Sequence, residues 1–236
     1  MQSRTLLAVS LLLAVCTGCI IHIGGSGWQG THGLVHSNGD PGPLVLGDGI
    51  DATERREVPE FDAIQSATSF DVKVRVGGER SVVLHGDQNV LPHVRTTVRG
   101  GSLEITLDRG SYRFESPTWI EITVPTLRAY ALSGSGDTEI AGVDRDTFSL
   151  SLSGSGDIAA VGRADHLSVS VSGSGDLELG ELKAREVRVT VTGSSDVSLF
   201  ASETLTIEIT GSADVRYEGR PNITASITGS GSVRPR

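Results

Sequence analysis

Six near-identical hexapeptides recur along the second half of the chain, and this repeat limits its fold more than any other feature. The copies are LSGSGD at 132–137 and 152–157, VSGSGD at 171–176, VTGSSD at 191–196, ITGSAD at 209–214 and ITGSGS at 227–232. Their first glycines are spaced by 20, 19, 20, 18 and 18 residues. A period of about twenty residues with no helical pattern inside it is typical of β-solenoids, in which each repeat forms one rung.

The segments on both sides of each hexapeptide alternate apolar and polar residues, as strands buried on one face do. The clearest runs before the hexapeptides are 148–152, 167–171, 187–191 and 205–209. We therefore predict an all-β fold, a right-handed parallel β-helix (β-solenoid) with about 20 residues per rung, since crossovers between parallel strands are nearly always right-handed. The glycines are expected at the corners because they adopt positive φ without strain.

An aspartate closes five of the six hexapeptides, and stacked rungs would place these carboxylates in a column. The five are Asp137, Asp157, Asp176, Asp196 and Asp214. Neighbouring strands lie about 4.8 Å apart, so adjacent carboxylates repel by about 1 kcal/mol in water. Two interpretations offset this repulsion: each carboxylate caps its own turn by accepting backbone N–H groups, or calcium ions lie between neighbours as a cation ladder. Calcium takes about six to eight oxygen ligands, so one carboxylate per rung favours turn capping, with no cofactor.

The first eighteen residues have the pattern of an export signal. Arg4 precedes an apolar run at 6–15 that is too short to span a bilayer. The small residues at 17–18 and the following Cys19 resemble the processing site of bacterial lipoproteins, in which the cysteine becomes the lipidated first residue. We predict a lipoprotein-type signal peptide over 1–18 and lipidation of Cys19, with an ordinary secretory signal as the alternative.

The remaining chain divides by composition into a tether and a β domain. Residues 19–57 are rich in glycine and lack a sustained period, which predicts a flexible tether. Residues 58–236 form the predicted β domain, with irregular capping strands at 58–124 and the repeats at 125–236.

Within the capping segment, two features point to particular structures. Gly100 and Gly101 separate the apolar-alternating runs 94–98 and 103–107, which predicts a β-hairpin. The stretch 64–74 reads as an altered copy of the repeat, with Asp71 at the aspartate position.

Three short motifs in the same segment add a resemblance to a known family. They are Phe61-Asp62-x-Ile64, Phe70-Asp71-Val72 and Gly86-Asp87-x-Asn89. Together with the Ser-Gly-Ser-Gly-Asp corners, they make residues 58–236 similar to a bacterial domain of unknown function, the putative auto-transporter adhesin, head GIN domain family. The resemblance implies an exported, often lipidated protein with a β-helix-like fold, and it implies neither an established activity nor any catalytic residue.

Charge and motifs exclude several function classes. The formal net charge of −9 disfavours a nucleic-acid partner, which needs clustered Lys and Arg. The sequence has no cysteine after residue 19 and no nucleophile elbow, P-loop or zinc-protease motif. We therefore predict that the protein is not an enzyme, a polysaccharide-active β-helix enzyme being the least favoured alternative.

Two non-catalytic functions remain from the sequence. The first is a module for adhesion or binding at the bacterial cell envelope, anchored through lipid to a membrane, expected to be the outer membrane on its periplasmic or surface face, with a glycan or protein ligand. The second is a structural or self-assembling envelope protein that forms a homo-oligomer through an uncapped C-terminal rung, whose unpaired backbone groups would pair with another copy.

Overall fold

Nine strands precede the repeats in the computed structural model, which describes residues 42–236. They are β1 (Leu44–Leu46), β2 (Asp51–Arg55), β3 (Ala63–Ala67), β4 (Asp71–Val76), β5 (Ser81–Asp87), β6 (Val94–Arg99), β7 (Ser102–Leu107), β8 (Ser111–Arg113) and β9 (Trp119–Val124). One 3-10 turn, Leu91–His93, lies between β5 and β6. The predicted signal peptide and Cys19 lie outside the described residues.

Eight further strands carry the repeats and form the solenoid. They are β10 (Ala129–Leu132), β11 (Thr138–Leu152), β12 (Ile158–Val171), β13 (Leu177–Gly193), β14 (Asp196–Gly211), β15 (Asp214–Gly219), β16 (Asn222–Gly229) and β17 (Ser232–Pro235). Each of β11 to β13 pairs in parallel with the next long strand, in the register that the repeat predicts. The chain is thus a β-solenoid of about five turns with rungs about 20 residues apart, and the predicted fold class is confirmed.

Apolar side chains fill the interior in columns that run from rung to rung. One column contains Leu150, Val169, Val189 and Ile207, which lie side by side in the parallel register and are all buried. Tyr130 continues this column on β10, and its buried hydroxyl lies 2.8 Å from the hydroxyl of Thr138. Full burial of one such aliphatic side chain contributes about 1.5–3 kcal/mol, so the columns are the main source of stability.

The capping segment joins the solenoid through β3 and β4, which act as an early rung. β3 pairs in parallel with β10, and β4 pairs in parallel with β11. The prediction that 64–74 is an altered copy of the repeat is confirmed by this pairing. β6 and β7 form the predicted antiparallel hairpin around Gly100 and Gly101, and β7 also pairs with β3.

The segment 44–55 corrects the predicted boundary of the tether. Residues 19–57 were expected to be flexible, but β1 pairs in parallel with β8 and β2 pairs antiparallel with β5. Composition was misleading here because these short strands contribute few buried side chains of their own. Their positions are fixed by pairing with residues 28 to 36 positions further along the chain for β2 and 67 positions further for β1.

The Gly-Asp-x-Asn motif supplies the contacts that hold this segment. The buried carboxylate of Asp87 accepts N–H bonds from Gly49 (3.1 Å), Glu115 (2.9 Å) and Ser116 (3.1 Å). Burial raises the pKa of Asp87, but these hydrogen bonds outweigh burial and leave the pKa below its ordinary value. The amide of Asn89 donates to the carbonyl oxygen of Leu46 (2.6 Å).

The corner glycines stack directly on one another, and this contact explains why they are glycines. A Cβ on Gly154 would lie 1.8 Å from the carbonyl oxygen of Gly134, and one on Gly173 would lie 1.9 Å from that of Gly154. Positive φ, the reason expected from the sequence, applies at later corners such as Gly193 (φ +148°) and Gly211 (φ +132°). At the earlier corners the requirement is close approach of two backbones.

We expect Gly154→Ala to lower the free energy of unfolding by about 3 kcal/mol or more, because the added methyl overlaps the rung below. The matched control is Gly180→Ala in β13, where a Cβ would have no atom nearer than 3.5 Å. The control is expected to change stability by less than about 1 kcal/mol. Urea unfolding of both variants measures the difference, and equal losses would contradict the stacking explanation.

Candidate functional site

The repeat aspartates lie in one line along the outside of the solenoid, which we call the aspartate row: Asp71, Asp137, Asp157, Asp176, Asp196 and Asp214. The backbone N–H of Asp137 donates to a carboxylate oxygen of Asp71 (3.0 Å). The same bond recurs from Asp157 to Asp137 (3.0 Å), from Asp176 to Asp157 (2.7 Å) and from Asp196 to Asp176 (3.0 Å). Each of these carboxylates therefore binds the backbone of the following rung.

These bonds correct the capping geometry expected from the sequence. The carboxylates were expected to accept N–H groups within their own turn, whereas each of the four bonds joins two consecutive rungs. The spacing between parallel strands explains the difference, since it places the next amide within reach of a short side chain. A backbone N–H aimed at each carboxylate offsets part of the repulsion between neighbouring charges.

The row ends in a different set of contacts near the C-terminal rungs. Arg216 pairs with Asp196 (3.1 Å) and Arg234 pairs with Asp214 (2.7 Å). Ser232, which replaces the aspartate of the sixth copy, donates its hydroxyl to Asp214 (2.6 Å). The Ser232 hydroxyl and the charge of Arg234 hold the pKa of Asp214 below its ordinary value. Two positive charges thus neutralise this end of the row.

The metal interpretation of the row concerns the same carboxylates. Within residues 42–236, no three or more His, Cys, Asp or Glu side chains are grouped so that they could hold a metal ion. One oxygen of each carboxylate from Asp71 to Asp176 already accepts an N–H bond. The hydrogen-bonding geometry favours capping over the cation ladder.

A second surface lies on the other side of the corners, and we call it the hydroxyl face. It consists of outward side chains from the second half of each rung: Ser149, Ser151, Ser168, Ser170, Thr190, Thr206, Thr224 and Ser226. The ion pair between Arg188 and Glu208 (2.7 Å) interrupts it. Parallel stacking places these hydroxyls in two rows that cross the rungs. Within each row, neighbouring positions are about 4.8 Å apart.

The hydroxyl face contains a depression of about 270 Å³ above β10. Its floor is formed by the small side chains of Ala129 and Ala131, and Gln65 and Ser151 are among the polar residues around them. Ser102 also lines it, is 7% exposed, and has a buried hydroxyl without a hydrogen-bond partner within the described part of the protein. A buried hydroxyl without a partner is rare in proteins, which marks this depression as a candidate binding site.

A wider groove of about 590 Å³ adjoins the depression and shares Arg128, Ala129 and Ser149 with it. It runs beside Asp144 and Asp146 in the charged return of β11. At the boundary between the two, Arg128 forms an ion pair with Asp62 (2.7 Å). No local pattern indicates either cavity, because both form where the short strand β10 lies beside the longer β11.

The parallel rungs and stacked corners define the chain as a β-solenoid protein. Residues 60–221 match the family described as putative auto-transporter adhesin, head GIN domain, and the chain belongs to this family. The resemblance seen in the sequence is therefore confirmed. A search of the curated proteins gives no match.

Solved structures with similar folds include proteins from two bacterial genera. A putative adhesin from Bacteroides fragilis superposes with a TM-score of 0.69 at 23% identity, covering 81% of this chain and 100% of its own. A putative lipid binding protein from Parabacteroides distasonis gives a TM-score of 0.53 at 24% identity, covering 82% of this chain and 99% of its own. A putative adhesin from the same species gives 0.53 at 18% identity, covering 82% and 100%. At these identities the similarity shows the fold.

The aspartate row predicts different effects of two substitutions at one position. Asp157→Ala removes the acceptor for the Asp176 amide and is expected to lower the melting temperature by about 2–4 °C. Asp157→Asn keeps an acceptor oxygen and removes one charge, so its melting temperature should stay within about 1 °C of the parent protein. Thermal unfolding in a chelator measures both. A rise in melting temperature with calcium that both variants abolish would instead support the cation ladder.

Proposed function

We propose that this protein is an exported, lipid-anchored, non-catalytic module that binds a glycan at the bacterial cell envelope through the hydroxyl face. Membership of a family described as putative adhesins supports a role in attachment. The lipoprotein-type signal and Cys19 support export and anchoring, with the outer membrane as the proposed site. A protein ligand is the alternative class of partner.

The observation that carries the choice of ligand is the chemistry of the depression on the hydroxyl face. Hydroxyl groups from Ser149, Ser151 and Ser168 surround a floor of alanine methyl groups. A sugar ring presents hydroxyls around its edge and C–H groups on its faces, so it can satisfy both kinds of surface. Ser102 lies in the same lining, and its buried hydroxyl has no hydrogen-bond partner within residues 42–236.

Weak contacts repeated along the face support adhesion better than one tight site. Each rung from β11 to β16 presents at least one hydroxyl on this face, although Arg188 and Glu208 interrupt the rows, so an extended chain of sugars meets hydroxyls along the whole face. Several weak sites on one surface bind a repetitive ligand more strongly than any single site does. This arrangement requires no catalytic residue, and the proposal includes none.

The anchoring part of the proposal is tested at Cys19. In a bacterial host, Cys19→Ser is expected to abolish incorporation of labelled palmitate and to move the protein from the membrane fraction to the soluble fraction, because the lipid acceptor is lost. Cys16→Ser is the matched control and should leave labelling and membrane association unchanged. Equal labelling of Cys19→Ser and the parent protein would contradict the proposal.

The binding part is tested with residues 42–236 on an array of neutral and acidic oligosaccharides. Ser151→Arg fills the depression and is expected to weaken binding at least about tenfold. Ala159→Arg is the matched control, since it adds the same side chain beside the aspartate row, between Glu139 and Glu178. Binding that survives Ser151→Arg, or that both variants abolish equally, would exclude the hydroxyl face as the binding surface.

A further inference from the structure

The strand β16 is the last strand of the sheet that carries the hydroxyl face, and it forms an exposed edge of that sheet. It pairs in parallel with β14, and within residues 42–236 no strand pairs with its other side. All its residues are exposed. Ile223 and Ile227 are each 41% exposed, although they continue the interior columns of Leu205 and Ile209, which are at most 2% exposed.

β16 also lacks the usual protection of a strand edge against pairing. Exposed edges normally carry charges or proline, which discourage the addition of another strand. β2 carries Asp51 and Glu54, β6 carries Arg95 and Arg99, and β17 contains a proline. β16 reads NITASITG and has neither a charge nor a proline over its eight residues.

The sequence of β16 is nearly the same in both directions about Ala225. In an antiparallel pair centred there, Ile223 lies opposite Ile227 of the second copy. Thr224 lies opposite Ser226 of the second copy, and Ala225 lies opposite itself. A two-fold interface needs a self-complementary patch, and this register matches apolar with apolar and hydroxyl with hydroxyl side chains. Because such an interface brings each residue near its own copy, a strand without charges also avoids like-charge repulsion.

We propose that two copies of this chain associate through β16 as an antiparallel pair centred on Ala225. Backbone N–H and C=O groups along the free edge of β16 pair across the two-fold axis, and the interior columns of both solenoids meet at the isoleucines. The hydroxyl face then continues from one copy into the other. This inference does not depend on the proposed glycan function, since the pairing is made by backbone groups at the edge of β16 and not by its outward hydroxyls.

The size of the contact sets the expected strength. Eight residues of strand span about 27 Å, and packed sheets lie about 10 Å apart, so the end of the solenoid offers a cross-section of roughly 300 Å² per copy. Standard interfaces bury about 800 Å² per partner. The pair is therefore a weak dimer, with an expected dissociation constant on the order of 10–100 μM.

The test uses residues 42–236, which form a compact unit with their own hydrophobic cluster. Sedimentation velocity over a range of about 5–500 μM is expected to show a reversible monomer–dimer equilibrium. Ser226→Lys should raise the dissociation constant at least about tenfold, because the two lysines become diagonal neighbours across the axis. Ser170→Lys is the matched control, as Ser170 occupies the same column on an internal rung, and it should leave the equilibrium unchanged.

A mixture of two variants tests the register itself. Ser226→Lys and Thr224→Glu should each dimerise poorly alone, but an equimolar mixture should recover the dimer, because residue 226 lies opposite residue 224 of the second copy. Thermal unfolding confirms that each variant is folded. A monomer at every concentration, a dimer that tolerates Ser226→Lys, equal loss with Ser170→Lys, or no recovery in the mixture would each overturn the proposal.

Discussion

The close stacking of backbones at the corners is the constraint on which the rest of this structure depends. At Gly154 and Gly173, a carbonyl oxygen of the preceding rung occupies the space that a Cβ would need. Because the corners stack without a gap, the strands on both sides keep the short spacing of a parallel sheet throughout the solenoid. Continuous interior columns follow from that spacing, and so do the regular rows of side chains on the two outer surfaces.

The same spacing turns a repeated aspartate from a source of repulsion into a link between rungs. A side chain as short as aspartate reaches the next backbone amide only when the two rungs are in register. The bonds from Asp71 to Asp196 therefore depend on the corners, and they also bind each corner to the next. Where the row ends, Ser232 and Arg234 take over with a hydroxyl and a positive charge.

The sequence predicted the solenoid correctly, because its repeat and its alternation of apolar residues follow the same register as the pairing of distant strands. Periodicity placed the rungs, and Asp71 at the aspartate position indicated that 64–74 is an altered copy of the repeat, as the pairing of β3 and β4 confirms. The prediction of a flexible tether was wrong for 44–55, because this segment is held by residues far along the chain. Asp87 and Asn89 bind its backbone through hydrogen bonds that no local pattern in the sequence reveals. The depression near Ser102 was missed for a similar reason, since it arises from a difference in length between adjacent strands.

The interior rungs also differ from most protein elements in how little they depend on anything beyond their two neighbours. β12 contacts β11 and β13 through the same columns, corner and aspartate bond that β13 uses with β12 and β14. Removal or duplication of one such unit would leave every remaining contact of the same kind in place. The solenoid can thus become longer or shorter by one repeat without any change in the contacts that Asp87 and Asn89 make.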